Sequence, residues 1–292
     1  MVRRIRRKPV EELNALVDSV LGPTNPPMAK VRPGEVVEVE TWDALTRVTN
    51  PVTGPIEVDG AEQGDTLAVE VLDIELPEQG TTAIIPGFGA LEGWLRLLES
   101  KRKVCEIKDG RIYYSTDHGE TVELEADPFI GTIGVSPEVE AITTLSPGRH
   151  GGNMDCPDIR PGNTLKLPVF RPGALFGLGD VHAVQGDGEV CGVAVEVPAV
   201  VTLKFGLEKE RSIGWPRIES GDEIMAIGSA RPLEDAARLA FREMVDWMAS
   251  DYGWVREDAY MFLSVAARAR IAQMVDPLYT VVVKLKKSYL KG

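Results

Sequence analysis

No apolar run in the chain reaches the roughly 18 residues that a membrane-spanning helix needs. The basic start is not followed by the apolar core of a secretory signal, because Glu11, Glu12, Asn14 and Asp18 interrupt it. Cysteine is scarce. Cys105, Cys156 and Cys191 are odd in number and widely spaced, which argues against a disulfide framework and a zinc knuckle. The expectation is a cytoplasmic protein with free thiols. Positive charge is in deficit, with 32 basic against 45 acidic residues and a net charge of −13. Nucleic acid and anionic membrane surfaces repel such a chain, so neither is an expected partner. Gln and Asn are few beside Arg and Glu, a weak thermophilic trait.

Several reactive signatures are also missing. There is no Gly-x-Ser-x-Gly elbow, phosphate loop or dinucleotide fingerprint. Ser136 and Ser146 each precede a proline, and Cys156 is followed by Pro157, which disfavours a serine or cysteine nucleophile. Histidine is rare too, and two of the three, His150 and His182, fall in the densest stretch of polar groups.

What is present is a β pattern punctuated by Gly and Pro. Val36–Glu40 and Thr66–Ile74 alternate as half-buried strands do. Four short units share a Gly, a polar residue and then a β-rich run, at Gly34-Glu35, Gly64-Asp65, Gly162-Asn163 and Gly221-Asp222. They predict strand starts in a sheet-built body. Ser115-Thr116-Asp117-His118-Gly119 reads as a hairpin turn. Phe88–Leu98 reads as a short helix after Pro86-Gly87, a surface insertion with the option of a lid. From Pro232 to Ser250 the apolar spacing becomes helical, with Gly253 as the stop. A second helix is expected over Arg256–Ala269 and a last strand over Tyr279–Leu285. The expected fold is therefore mainly β, with a smaller α+β C-terminal portion. It divides into a basic N-terminal arm (1–24), a β-rich catalytic body (25–230) and a helix–helix–strand portion (231–292). The arm is expected to be solvated or docked on an acidic partner.

Two runs carry the chemistry, Gly148–Asp155 and Gly179–Glu189. If Asp180-Val181-His182 is extended, Asp180 and His182 share a face, and the same holds for Asn153 and Asp155. The glycines of Gln185-Gly186-Asp187-Gly188 let the backbone approach a ligand and present Glu189. Hydrolysis of a carbonyl compound needs an activated water, a group that polarises the carbonyl and an acid for the leaving group. A zinc-type ion supplies the first two and accepts imidazole and carboxylate donors. His182, Asp155 and Asp43, the last just after a predicted strand, make an adequate set. Calcium is the alternative ion. Glu189 is then free as general base and proton donor, and Asn153 can hydrogen-bond a substrate amide. Taken one at a time, each of these residues has a structural reading as a turn, a cap or a surface pair.

Gly151-Gly152-Asn153-Met154-Asp155 and Gly179-Asp180-Val181-His182-Ala183-Val184-Gln185-Gly186-Asp187-Gly188-Glu189, with Asn50–Ala61 and Ala259–Pro277, resemble the acetamidase/formamidase family. The similarity runs in order from about Asn25 to Leu285. The resemblance implies a β-sandwich-like body, hydrolysis of formamide or acetamide to ammonia and the acid, a bound divalent metal and a homodimer or larger assembly. It maps onto Asp43, Asn153, Asp155, His182, Gln185, Asp187 and Glu189, with Asn153, Gln185 and Asp187 as substrate contacts. The segment before Pro26 and Arg268 depart from the family pattern and bear on substrate choice. A hydrolase of another small C–N compound and a noncatalytic amide- or metal-binding protein are the competing readings.

Overall fold

The computed structural model describes residues 2–96 and 99–290. About two fifths of them lie in strands, nearly all in a nine-stranded and a ten-stranded sheet. The strand Ala199–Glu208 shows why two sheets form. Ala199, Val201, Leu203 and Phe205 are buried, and the residues between them are more exposed. That period of two gives each sheet one apolar face. The faces meet in one core, where Phe205 of the nine-stranded sheet sets its ring edge-on to Phe176 of the other, with centroids 5.2 Å apart. The mainly β architecture is as the sequence implies.

All four Gly-polar units start strands, and all four strands belong to the nine-stranded sheet: Val36–Thr41, Thr66–Glu75, Thr164–Pro168 and Glu223–Ala230. Gly34, Gly64 and Gly162 have φ between 89° and 92°, a conformation that favours glycine. The His118 segment is the turn between Arg111–Ser115 and Thr121–Glu125.

Helices Leu233–Tyr252 and Arg256–Ala266 cover the outer face of the nine-stranded sheet. Ile224 and Ala226 face them, whereas Met225 and Ile227 face the sandwich core. The helix layer is close. A Cβ on Gly228 would lie 2.3 Å from the Ala236 carbonyl oxygen and 2.5 Å from the Ala240 nitrogen. Gly228→Ala is expected to cost about 1–3 kcal/mol through overpacking, read as a lower urea midpoint. A loss under about 0.5 kcal/mol would show that the layer yields freely.

Three expectations need correction. The N-terminal segment is not a free arm: Arg3–Ile5 is a parallel edge strand beside Val36–Thr41, and Ile5 is buried in the core. Its arginines meet acids of their own sheet, with Arg4 Nε 2.6 Å from Glu38, and Arg7 stacks on Trp42. The second helix ends at Ala266, not Ala269, and Arg268–Gln273 is a strand paired with Tyr279–Lys286. Alternating Arg and Ala suit a helix locally, and a buried strand offering its edge overrides that preference. This makes the C-terminal portion helix–helix–strand–strand, continuous with the nine-stranded sheet. Finally, the alternating run Val190–Val197, which the sequence also suggests as a strand leaving the Glu189 loop, is strand only at Glu196–Val197. The insertion after Pro86 has one helical turn, Glu92–Leu95, and the end of the expected helix, Leu97 and Leu98, lies outside the described residues. Among the described residues, no helix is long and apolar enough to cross a membrane.

Candidate active site

Five carboxylates and one imidazole converge at one end of the ten-stranded sheet. Strand Phe176–His182 supplies Asp180 and His182. Glu196 sits directly opposite His182 on the neighbouring strand. Asp155 follows strand Gly151–Asn153, Glu189 comes from the loop after His182, and Asp276 comes from the turn between the last two long strands. All six side chains are buried.

The backbone is shaped to admit them. A Cβ on Gly131 would lie 2.6 Å from Asp155 Oδ1 and 2.9 Å from Asp180 Oδ2, so only glycine leaves room for both carboxylates. Asn50, Asp155, Asp180 and Glu189 have φ between 41° and 55°. Left-handed backbone at non-glycine residues costs on the order of 1 kcal/mol or more each and is typical of functional sites.

His182 Nε2 lies 3.2 Å from both Asp180 Oδ1 and Glu196 Oε2. Its Nδ1 lies 2.8 Å from Gln185 Oε1. Gln185 Nε2 donates to the carbonyls of Asp155 and Ala272, so Oε1 is the acceptor and Nδ1 carries the proton. Nε2 is thereby aimed at the carboxylates. Asn153 donates from Nδ2 to Asp155 (3.1 Å) and Asp276 (2.8 Å), and its Oδ1 accepts from Asn50 and Thr132.

Donor atoms of Asp155, Asp180 and His182 lie within 4.8 Å of one another, as do those of His182, Glu189 and Glu196. Among the described residues, His182 is the only ion-pair partner these acids have. Asp155 Oδ1 is buried without a hydrogen-bond partner, and Glu196 Oε2 has only the His182 ring nitrogen at 3.2 Å. An orphaned acceptor in a cluster this acidic fits a cation, and the cluster could hold a metal ion.

Electrostatics says the same. Burial, then Asp276, raises Asp155 well above the usual carboxylate range. Burial and Asp155 raise Glu189, and burial and Glu189 raise Asp276. Burial pushes Glu196 up to about 7. For His182 burial acts downward, but Glu196 and Asp180 overcome it and raise its pKa well above the usual value. Burial also acts upward on Asp180, and His182 reverses the shift to hold it low. Without a metal, the cluster must keep protons to offset its own charge.

The cavity beside this cluster is small, about 70 Å³. Asn153, Asp180, His182, Glu189, Glu196 and Asp276 form its polar wall. Leu45, Ile85, Phe88, Leu145 and Val193 form the apolar one. A larger groove of about 510 Å³ between the two long helices is lined by Phe241, Tyr260 and three arginines. It contains no histidine and only Glu257 as an acid, so the smaller cavity is the candidate active site.

Of the residues expected from sequence, Asn153, Asp155, His182, Gln185 and Glu189 come together. Two stand apart from this group. Asp43 lies outside both donor groups and accepts from the Leu45 N–H at 2.9 Å, yet it is near enough to Asp180 that burial and then that charge raise its pKa. Asp187 is exposed and pairs with Arg270 at 2.8 Å, away from the cavity. Neither Asn153 nor Gln185 has a side-chain amide left free, since each is engaged within the protein. Asp180, Glu196 and Asp276 were missed as site residues. Asp180 carried a signal, its alternation with His182. Glu196 and Asp276 arrive through tertiary register, and nothing adjacent in sequence marks them.

The model of the Acetamidase/Formamidase family matches residues 6–145 and 138–285. An acetamidase crystal structure from Yersinia enterocolitica shares 38% identity, with all of this chain and 94% of that one covered and a TM-score of 0.91. An acetamidase structure from Bacillus halodurans shares 36% identity over 98% of each chain, with a TM-score of 0.88. A formamidase of Methylophilus methylotrophus is 24% identical over 64% of this chain and 63% of its own length. The chain spans between 53% and 64% of the length of the curated relatives it matches. With both halves of the sequence matched in order and the same fold found along its whole length, the chain belongs to the acetamidase/formamidase family.

Proposed function

We propose that the protein hydrolyses a small linear amide, of the formamide or acetamide type, to ammonia and the carboxylic acid with the help of a divalent metal ion. The observation that carries the reading is Glu189, a buried carboxyl with raised pKa on the wall of a cavity the size of a small amide. Family membership and relatives named acetamidase and formamidase support it.

In this reading the metal is held by His182 Nε2, Asp180 and Asp155, with Glu196 as the alternative donor. Zinc suits an imidazole with carboxylates. Calcium is the second reading, favoured by the number of carboxylate oxygens. When bound, such an ion acts as a Lewis acid on water and on the amide carbonyl. Glu189 takes a proton from water as the new C–O bond forms, and returns it to nitrogen as the C–N bond breaks. Burial and then Asp155 raise its pKa, which makes it a stronger base and lets it hold the proton between the two transfers. Asn153 holds Asp155 and Asp276 in place, and Gln185 fixes the tautomer of His182.

Ammonia release from formamide and acetamide by metal-loaded protein is the direct test. Turnover that stops on chelation and returns with the ion is expected. No release from any short amide would sink the reading in favour of a binding protein. Gln185→Leu removes the acceptor for the Nδ1 proton and is expected to weaken metal affinity about 10- to 100-fold. Competition with a chelator measures that loss, and unchanged affinity would show that Gln185 does not set the tautomer. A homodimer or larger assembly in the cytoplasm completes the proposal. Exposed Trp94, Tyr260 and Val265 offer surface for association to cover, and light scattering reads the mass.

A further inference from the structure

We infer that Phe88, seated on Gly192, sets the acyl length that the site accepts. This inference rests on the amidase reading above and adds a residue that limits its substrates.

The cavity has a chemical direction. Its polar wall engages the amide group, so the acyl chain must point towards the apolar wall, where Phe88 stands. At about 70 Å³ the space is far below the roughly 300–1,000 Å³ of pockets for drug-sized ligands. It holds an amide with one or two carbons, and each added methylene must displace part of the wall.

Phe88 is held in that wall by its own segment and by the loop opposite. Its N–H donates to the Ile85 carbonyl at 3.0 Å, and the Ala90 N–H donates to the Val190 carbonyl at 2.9 Å. A Cβ on Gly89 would lie 3.0 Å from the Cys191 carbonyl oxygen. The ring itself rests on Gly192, which has φ 81°, and a Cβ there would lie 2.4 Å from Phe88 Cδ1. Gly192 in turn donates to the Glu189 carbonyl at 2.7 Å. The insertion after Pro86 is thus clamped, backbone to backbone, onto the loop that carries Glu189. The surface insertion read from sequence forms one wall of the site, and its aromatic side chain meets the acyl end of the substrate.

The test is the ratio of kcat/KM for acetamide to that for butyramide, compared between the natural protein and Phe88→Ala. One methylene in an apolar pocket is worth about 10- to 200-fold, so the ratio is expected to fall at least tenfold in the variant, whatever the change in acetamide turnover itself. Phe88→Leu is expected to move it less and in the same direction, and it keeps the test alive if the smaller side chain loosens the fold. Binding of acetamide and butyramide, measured by ligand-observed NMR with and without Phe88→Ala in the nonhydrolysing Glu189→Gln background, separates two failures. If the natural protein hydrolyses no amide, the amidase reading falls, while the binding ratio still decides the role of Phe88. A fall in kcat/KM by the same factor for every chain length, or an unchanged butyramide affinity, would overturn the inference.

Discussion

Glu189→Gln is expected to lower ammonia release from formamide and acetamide by about 10³-fold, within the range of roughly 10²–10⁴ that a positioned acid–base group contributes. The substitution keeps the shape of the side chain and removes only its proton exchange. Glu189 lies in a donor group with His182 and Glu196, while the alternative group of Asp155, Asp180 and His182 does not include it. Metal content should therefore stay near that of the natural protein. Removing one acid from a cluster that repels itself should leave the metal-free fold at least as stable, since Glu189 is among the groups whose burial raises the pKa. Ammonia assays and metal analysis on the same preparation test both parts. More than about a tenth of the activity remaining would refute the acid–base role. Loss of the metal along with activity would make Glu189 a ligand.

The second large effect concerns the metal-free protein. Asp155, Glu189, Glu196 and Asp276 have folded-state pKa values raised above their unfolded ones, Glu196 to about 7. The folded chain therefore holds protons that the unfolded chain has released. Stability from these groups is present below the ordinary carboxylate range, near pH 4, and is lost as pH rises towards 7 and above. Each such proton contributes a slope of about 1.4 kcal/mol per pH unit. His182, also raised, acts in the same sense above its unfolded value, whereas Asp180, held low, acts oppositely at acid pH. The metal-free protein should accordingly lose melting temperature between about pH 5 and pH 8. A bound divalent ion replaces the protons and should flatten that profile. An ion at 100 times its Kd adds about 2.7 kcal/mol. Thermal melts across pH, with chelator and with zinc or calcium, measure this. A metal-free profile that rises with pH would show that the cluster is compensated in some other way.

Local chemistry in the sequence foretold a good part of this site. The alternation of Asp180 and His182 put both on one face, and the glycine-rich loop presented Glu189, because strands and tight turns are encoded by near neighbours. The four Gly-polar strand starts were legible for the same reason. Asp43 reads two ways, because a carboxylate after a strand serves equally well as a turn cap, and here it accepts the Leu45 N–H at the edge of the cluster. Asp187 misled because the loop that brings Glu189 inward leaves its own tip in water beside Arg270. Glu196 and Asp276 could not be read locally. One is placed by strand register and the other by a turn more than a hundred residues from Asn153, its hydrogen-bond partner. The N-terminal strand was hidden by its charge, since Arg3 and Arg4 look solvated until Glu35 and Glu38 stand beside them.

The turn that carries Asp276 does more than supply an acid. Gly188 donates to the Ile271 carbonyl at 2.9 Å, Met274 donates back to Gly188 at 3.1 Å, and Gln185 reaches the Ala272 carbonyl at 3.0 Å. Most of the site's side chains precede residue 200, yet the loop between His182 and Glu189 is fastened by residues 271–274. Residues up to 267 therefore supply five of the six site side chains and none of the clasp. A chain lacking the hairpin Arg268–Lys286 would carry most of the acids without the backbone that fastens their loop.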